Sequence, residues 1–371
     1  MTTEISHVAS DMAISPGEVL QEEIAARGMT QKELATRLGR PPQVINEIIR
    51  AKKAITPDTA IGLGKVLGID PQYWINLETD YRMTLARNRE TAALADNVRW
   101  LDAYPIREMI KRGWITAGRD KISRLKALLA FLEVAVPEPL AYQEAVGFRI
   151  TAAAQQKVSL GALAVWLRKG ELEARERSTA DYDADVFRAA LGDIRQLTED
   201  PPDKFVPAMK ALCAQAGVAL CLVPELPKSG ANGTTRWLSD NKALIQMSIR
   251  GKWADIFWFT FFHEACHLIH HRSRRRIVID GIADPDTAEL EAEADQFARD
   301  FLIPPEAWGT FCERGSFTPQ SVRRFAQSVQ IAPFIVVGRL QKEKRLPYNQ
   351  LASLKIRYKW HQQSSKGNRN D

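Results

Sequence analysis

The sequence predicts a multidomain protein. An all-helical domain is expected over residues 1–90, a helical connecting region over 91–200, an α+β domain over 201–345 and a basic, flexible tail over 346–371. Three observations carry this. A chain of 371 residues is long for one hydrophobic core. The first ninety residues are punctuated by cap-then-proline signals, and the residue alphabet changes after Glu199-Asp200-Pro201-Pro202. The 45% apolar and 26% charged fractions are ordinary for a folded protein.

Pro16 opens a first helix in which Val19, Leu20, Ile24 and Met29 can face inward. Thr30 followed by Glu33 is a capping-box pattern before Leu34 and Leu38, and Gly39 breaks the helix. Pro41-Pro42 opens the next, with Val44, Ile45, Ile48 and Ile49 as its apolar positions. Thr56-Pro57 and Asp70-Pro71 repeat the signature, giving five short helices in all. From 91 to 200 the pattern stays helical, with buried faces expected around Leu125–Leu132 and Leu160–Leu167. The paired prolines at 201–202 then mark a boundary. Beyond it, Val218–Val223 and Ala243–Ser248 read as strands, and Ser229–Thr235 as a turn-rich stretch. Trp253–His271 and Thr287–Leu302 read as helices, the second stopped by Ile303-Pro304-Pro305.

The charge is uneven. Fifty-one basic residues against 45 acidic ones give +6, yet residues 339–371 alone carry nine basic side chains against Glu343 and Asp371. Tyr358 and Trp360, interleaved with Lys355, Arg357 and Lys359, could serve nucleic acid through stacking and phosphate contacts, or the stretch could be a solvated tail. Apolar runs such as Ile256–Phe262 are far shorter than the ~18 residues a membrane span requires. Met1–Asp11 has no apolar segment of a secretion signal, and the four cysteines form no CxxC, so a reducing cytoplasm is expected. Four of the six histidines fall within nine residues, His263–His271.

Thr30–Leu38 and Pro42–Ile49 have the proportions of a helix-turn-helix, whose second helix enters the major groove. Gln43 and Asn46 then fall where base edges are met. Arg40, Arg50, Lys52 and Lys53 are placed to reach phosphates, and Gln31 to bond one. A helical protein-interaction module is the alternative. The stretch MTQKELATRLGRPPQVINEIIRAKKAITPDTAIGLGKVLGIDPQYWINLETDY, within residues 16–82, resembles the phage-repressor-type helix-turn-helix of host-inhibition-of-growth antitoxins. The resemblance implies a homodimer on palindromic double-stranded operator DNA.

His263-Glu264-Ala265-Cys266-His267 is HExxH. On a helix both histidines share a face and can bind one Zn²⁺, with Glu264 beside the metal-bound water as general base. A catalytic zinc needs a third protein ligand and an open position. In Glu289–Asp295, Glu291 is the preferred third ligand and Glu293 the runner-up, while Asp295 could hold a ligand histidine from behind. Packing or capping is the expected role of His270 and His271, and packing that of Cys266. If Ala243–Ser248 is an edge strand, an extended peptide could add to it.

The segments RWLSDNKALIQMSIRGKWADIFWFTFFHEACHLIHH and ELEAEADQFARDFLIP resemble the ImmA/IrrE-type metallopeptidases over roughly 200–310. The resemblance implies a zincin-like fold, ligands at His263, His267 and Glu291, a general base at Glu264, and limited proteolysis of a repressor or antitoxin. Together the two resemblances imply a cytoplasmic regulator in a toxin–antitoxin setting, with a cognate toxin as a further partner. The competing reading is a non-catalytic antitoxin or repressor whose HExxH domain is a sensor or structural zinc unit.

Overall fold

A computed structural model describes residues 12–137, 158–271, 278–280 and 288–360. The chain divides into two compact units, Met1–Val98 and Arg99–Asp371.

The first unit is five helices: α1 (Pro16–Ala26), α2 (Gln31–Leu38), α3 (Pro42–Ile49), α4 (Pro57–Leu67) and α5 (Pro71–Asp96). Leu20, Ile24, Leu34, Ile45, Ile48, Leu63 and Trp74 form its core. Caps act where the sequence places them, with one shift. Thr30 accepts from the Glu33 N–H at 3.2 Å, but the Glu33 carboxylate turns to Arg37, so the reciprocal half of that box is not made. The complete box is at Ser15 and Glu18. Gly39 ends α2 in the left-handed conformation, φ 63°, as a tight turn into α3 requires. At Gly17 a Cβ would lie 2.3 Å from the Ile48 carbonyl, so α1 and α3 meet only through glycine.

The fifth helix is not short. It runs 26 residues, so a boundary at residue 90 would cut it. No proline or glycine interrupts residues 72–96, and Ala, Leu, Arg and Glu sustain helix without burial. Beyond Trp74 only Leu94 is buried.

The second unit contains α6 (Ile106–Lys111), α7 (Lys121–Leu132), α8 (Leu160–Glu176), α9 (Ala184–Gln196), α10 (Pro202–Gln215), β1 (Val218–Leu222), β2 (Gly233–Ser239), β3 (Lys242–Met247), α11 (Ala254–His270), β4 (Val278–Asp280), α12 (Ala288–Leu302), α13 (Pro305–Glu313), α14 (Pro319–Ser328) and α15 (Pro333–Lys342). The strands form one sheet in the order β1-β3-β2-β4. β1 and β3 are parallel, and β2 is antiparallel to both β3 and β4.

Ala243–Ser248 is not an edge strand: β3 pairs on both sides, so no peptide can add to it. Pro201-Pro202 is not a domain boundary, because Pro202 merely starts α10. Phe187, Leu191 and Ile194 of α9 share one core with Phe205, Met209, Phe257 and Phe261. Arg195 also reaches across to the carbonyls of Phe301, Leu302 and Val329 at 2.6–3.1 Å.

Nor is the chain free from residue 346. The isolated bridge Trp253↔Arg357 is flanked by hydrogen bonds from Ala254 to Ile356 (3.0 Å) and from Tyr358 to Lys252 (2.7 Å). Lys355 pairs with Asp255 at 2.5 Å, and the Arg357 guanidinium lies 4.2 Å over the Trp253 ring. Trp258 donates to the Tyr358 hydroxyl, and Trp360 to Glu225, each at 3.1 Å. Of the residues expected to serve nucleic acid, Lys355, Arg357, Tyr358 and Trp360 are thus occupied internally, while Lys359 is exposed. Residues 361–371 lie outside the described residues.

Ending the chain after Leu346 removes the buried Leu354 and the Tyr358 contacts. It should therefore destabilise the second unit by about 3 kcal/mol or more, lowering its melting midpoint by roughly 6–12 °C. Scanning calorimetry of the truncated chain checks this, and an unchanged midpoint would contradict the packing described.

Candidate functional site

α11 is buried along nearly its whole length. Phe257, Trp258, Phe261 and Phe262 turn into the core, and α12 packs along it through Ala294, Ala298 and Leu302. Within that apolar frame His263, Glu264 and His267 are 1%, 0% and 5% exposed. Burying three ionisable groups this deeply requires partners for each.

The i, i+4 spacing sets the two imidazoles face to edge, with their Nε2 atoms 3.2 Å apart. From the first turn of α12, Glu291 reaches the same point. Its Oε2 lies 3.5 Å from His263 Nε2 and its Oε1 3.3 Å from His267 Nε2. Among the described residues, His263, His267 and Glu291 form a group whose candidate ligand atoms all lie within 4.8 Å of one another. Glu293 is not part of it and pairs with His271 instead.

The outer ring nitrogens decide what the inner ones are. His263 Nδ1 meets Asp295 Oδ1 at 3.0 Å. His267 Nδ1 meets His271 Nδ1 at 2.8 Å, and His271 Nε2 meets Glu293 Oε2 at 3.0 Å. A carboxylate only accepts, so protons run outward: His263 donates to Asp295, His271 to Glu293, and His267 to His271. Both inner Nε2 atoms are then lone pairs, and both face a carboxylate. Burial lowers the pKa of His267, against the pull of Glu291, and favours the neutral ring. Burial pushes the Glu291 carboxyl up, but the two imidazoles it faces draw it down further, so it is a carboxylate.

His263, His267 and Glu291 could hold a cation at that point. The donor chemistry fits zinc, since nitrogen and oxygen ligands at ~2.05 Å in tetrahedral array stand about 3.3 Å apart. Glu291 Oε1 is moreover buried without an aligned hydrogen bond. Burial pushes the Cys266 thiol up to about 12, so it stays protonated and packed.

Glu264 lies under β2. The Thr235 hydroxyl is 2.7 Å from Glu264 Oε2 and 3.1 Å from the Glu264 carbonyl. At Gly233 a Cβ would come within 2.6 Å of Thr260 Cγ2 and 2.7 Å of Glu264 Oε1, so only glycine lets the strand cross here. Sequence reading missed Thr235, because Ser229–Thr235 looked like turn and β2 begins inside it. It also left His271 at a capping role. The residue does close α11, its N–H bonding the His267 carbonyl, but its ring holds His267 as well. His270 packs edge-on against Phe297, as expected.

In the first unit, Gln31 and Asn46 meet: Asn46 Nδ2 lies 3.3 Å from Gln31 Oε1, and Gln31 Nε2 donates to Gln21 Oε1 at 2.9 Å. This amide chain ties α1, α2 and α3 together, and Gln21 had no sequence signal. Gln43 is exposed in the first turn of α3 and donates to Glu47 at 3.0 Å. Arg50, Lys52 and Lys53 are exposed just beyond α3, and Arg40 is half-buried in the turn before it. Among the described residues no helix is long and apolar enough to cross a membrane.

Residues 20–74 match the Helix-turn-helix family, and residues 255–314 match Peptidase_M78, the IrrE N-terminal-like domain. Virulence-associated protein I of Dichelobacter nodosus is 43% identical over 75 residues, 20% of this chain and 69% of that protein. The uncharacterized HTH-type transcriptional regulator YddM of Escherichia coli K12 is 31% identical over 71 residues, 19% of this chain and 76% of that protein. A solved addiction-module antidote protein of a HigA family from Coxiella burnetii is 32% identical, with TM-score 0.22, covering 23% of this chain and 92% of that one. The chain belongs to the helix-turn-helix family that includes the Dichelobacter protein, and behind that domain it carries an IrrE N-terminal-like domain.

Proposed function

We propose that the protein is a cytoplasmic regulator that binds operator DNA as a homodimer and cleaves a repressor- or antitoxin-like protein with a zinc-dependent endopeptidase site. The observation that carries the enzymatic half is the convergence of His263 Nε2, His267 Nε2 and Glu291 on one point beside Glu264. Those three residues would hold the zinc. When bound, it supplies Lewis acidity and a water whose pKa is lowered toward ~7.

The chain's own residues do the rest. Asp295 holds the His263 ring by Nδ1, and His271, backed by Glu293, holds His267. Thr235 binds one oxygen of Glu264 and aims its carboxylate. Glu264 takes the proton of the attacking water and returns it to the departing amine. A purely structural zinc would need no carboxylate at residue 264.

The DNA-binding half rests on the helix-turn-helix match and on the likeness to an HTH-type transcriptional regulator. Gln43 and Asn46 would meet base edges, with Asn46 oriented by Gln31. Arg40, Arg50, Lys52 and Lys53 would meet phosphates. A cognate toxin, as in antitoxin systems, is a further partner of this reading.

Glu264→Gln should keep about one zinc per chain and lose cleavage of a regulator encoded beside it by about 10²–10⁴-fold. If the metal-loaded protein cleaves no such regulator and the variant retains every cellular activity, the non-catalytic antitoxin or repressor reading stands instead. His271→Ala and Glu293→Gln should each weaken zinc affinity about 10–100-fold in chelator competition, and unchanged affinity would remove His271 from the site. Gln43→Ala should cost operator binding about 1–3 kcal/mol, while Lys52→Gln and Lys53→Gln should each reduce the salt slope by about one. Equal loss on operator and random DNA for Gln43→Ala would deny it a base contact.

A further inference from the structure

At the end of the sheet away from β4, a cavity of about 230 Å³ opens between the C-terminal end of α8, α10 and the outer edge of β1. Its walls are Arg177, Ser178 and Thr179 after α8, Lys210 and Ala214 of α10, and Val218–Leu220 of β1. Two cations thus line one small space. Arg177 Nε is buried without a hydrogen-bond partner among the described residues, although the same side chain also lies against the Cys221 thiol. Burial, and then the charge of Arg177, pushes the Lys210 ammonium below its usual range. The charge of Glu173 acts on Lys210 in the opposite sense, and Glu173 is itself paired with Lys169 at 3.4 Å.

The sheet adds to the same space. Gly217 O accepts from Ala243, and Val223 N–H donates to Met247. In a parallel ladder these bonds come from alternate residues, so the main-chain N–H and C=O groups of Val218 and Leu220 point to the free edge. Two cations, Ser178, Thr179 and the outward N–H groups of Val218 and Leu220, with the carbonyls of the same two residues, therefore line one concave surface. This is a donor set for an anion.

We propose that this cavity binds a small oxyanion carrying two negative charges, a phosphate monoester or a dicarboxylate. The volume lies below the ~300–1,000 Å³ of sites for drug-sized ligands, which excludes a nucleotide or a folded peptide segment. Arg177 supplies the planar fork and Lys210 the point charge. The site is separate from the histidine cluster and does not depend on the metal.

The test is isothermal calorimetry on the full-length protein with inorganic phosphate, glycerol 3-phosphate and succinate, each against chloride at equal ionic strength. The proposal expects saturable binding of at least one oxyanion at one site per chain. The phosphate and succinate arms tell which oxyanion class is held. Lys210→Met and Arg177→Gln should each weaken that binding about tenfold or more, the loss of one charge-assisted bond. Lys52→Gln should leave it unchanged, which separates this cavity from phosphate capture on the DNA-binding unit. If Arg177→Gln fails to fold, Lys210→Met decides alone, since its apolar stem fills the same space. No saturable heat with any of the three probes, or equal affinity in Lys210→Met, would overturn the proposal.

Discussion

Two imidazoles and a carboxylate face one another at 3.2–3.5 Å in the protein interior, an arrangement that positive charge between them would stabilise. Much of the second unit serves that arrangement. The aromatic face of α11 anchors the helix so that His263 and His267 cannot turn to solvent, and α12 brings Glu291 against them. Asp295 accepts from the outer nitrogen of His263, and His271, backed by Glu293, accepts from that of His267. Glycine at 233 lets β2 pass close enough for Thr235 to reach Glu264. The ordered C-terminal stretch ties down the start of the same helix, through Lys355 on Asp255 and Tyr358 on Trp258.

The first unit meets a different demand, presenting a short helix rigidly. A left-handed glycine at residue 39 and a proline at the first position of α3 set the turn, and Gln21, Gln31 and Asn46 lock the three helices side by side. Net charge contributes little to it. Its basic residues cluster at the turn and after α3, whereas the large basic excess lies near the C-terminus, where Lys355 and Arg357 bond within the fold. The histidine cluster and the helix-turn-helix thus draw on separate physical resources in one chain.

Much of this was legible in the residue order. Caps and prolines marked the helices of the first unit, since those signals are local. HExxH marked the face that the two histidines share, because i, i+4 spacing on a helix is geometry in itself. The preference for Glu291 over Glu293 followed from which side of α12 faces the core, and Glu291 is the one that meets the histidines. What could not be read was non-local. Thr235 acts through a strand that begins in a stretch composed like a turn. His271 acts through a neighbour's second nitrogen. β3 is internal only because a strand earlier in the chain pairs with its other side. The stretch up to Trp360 is polar and basic in composition, but Leu354 and Tyr358 suffice to pack it on the core.

The most direct test of the central claim is X-ray absorption at the zinc edge on the full-length, zinc-loaded protein. The account predicts one zinc per chain, bound by two imidazole nitrogens and oxygen at about 2.0–2.1 Å with no sulfur. A sulfur neighbour at about 2.3 Å, which would bring Cys266 into the site, or the lack of a stoichiometric zinc, would contradict it.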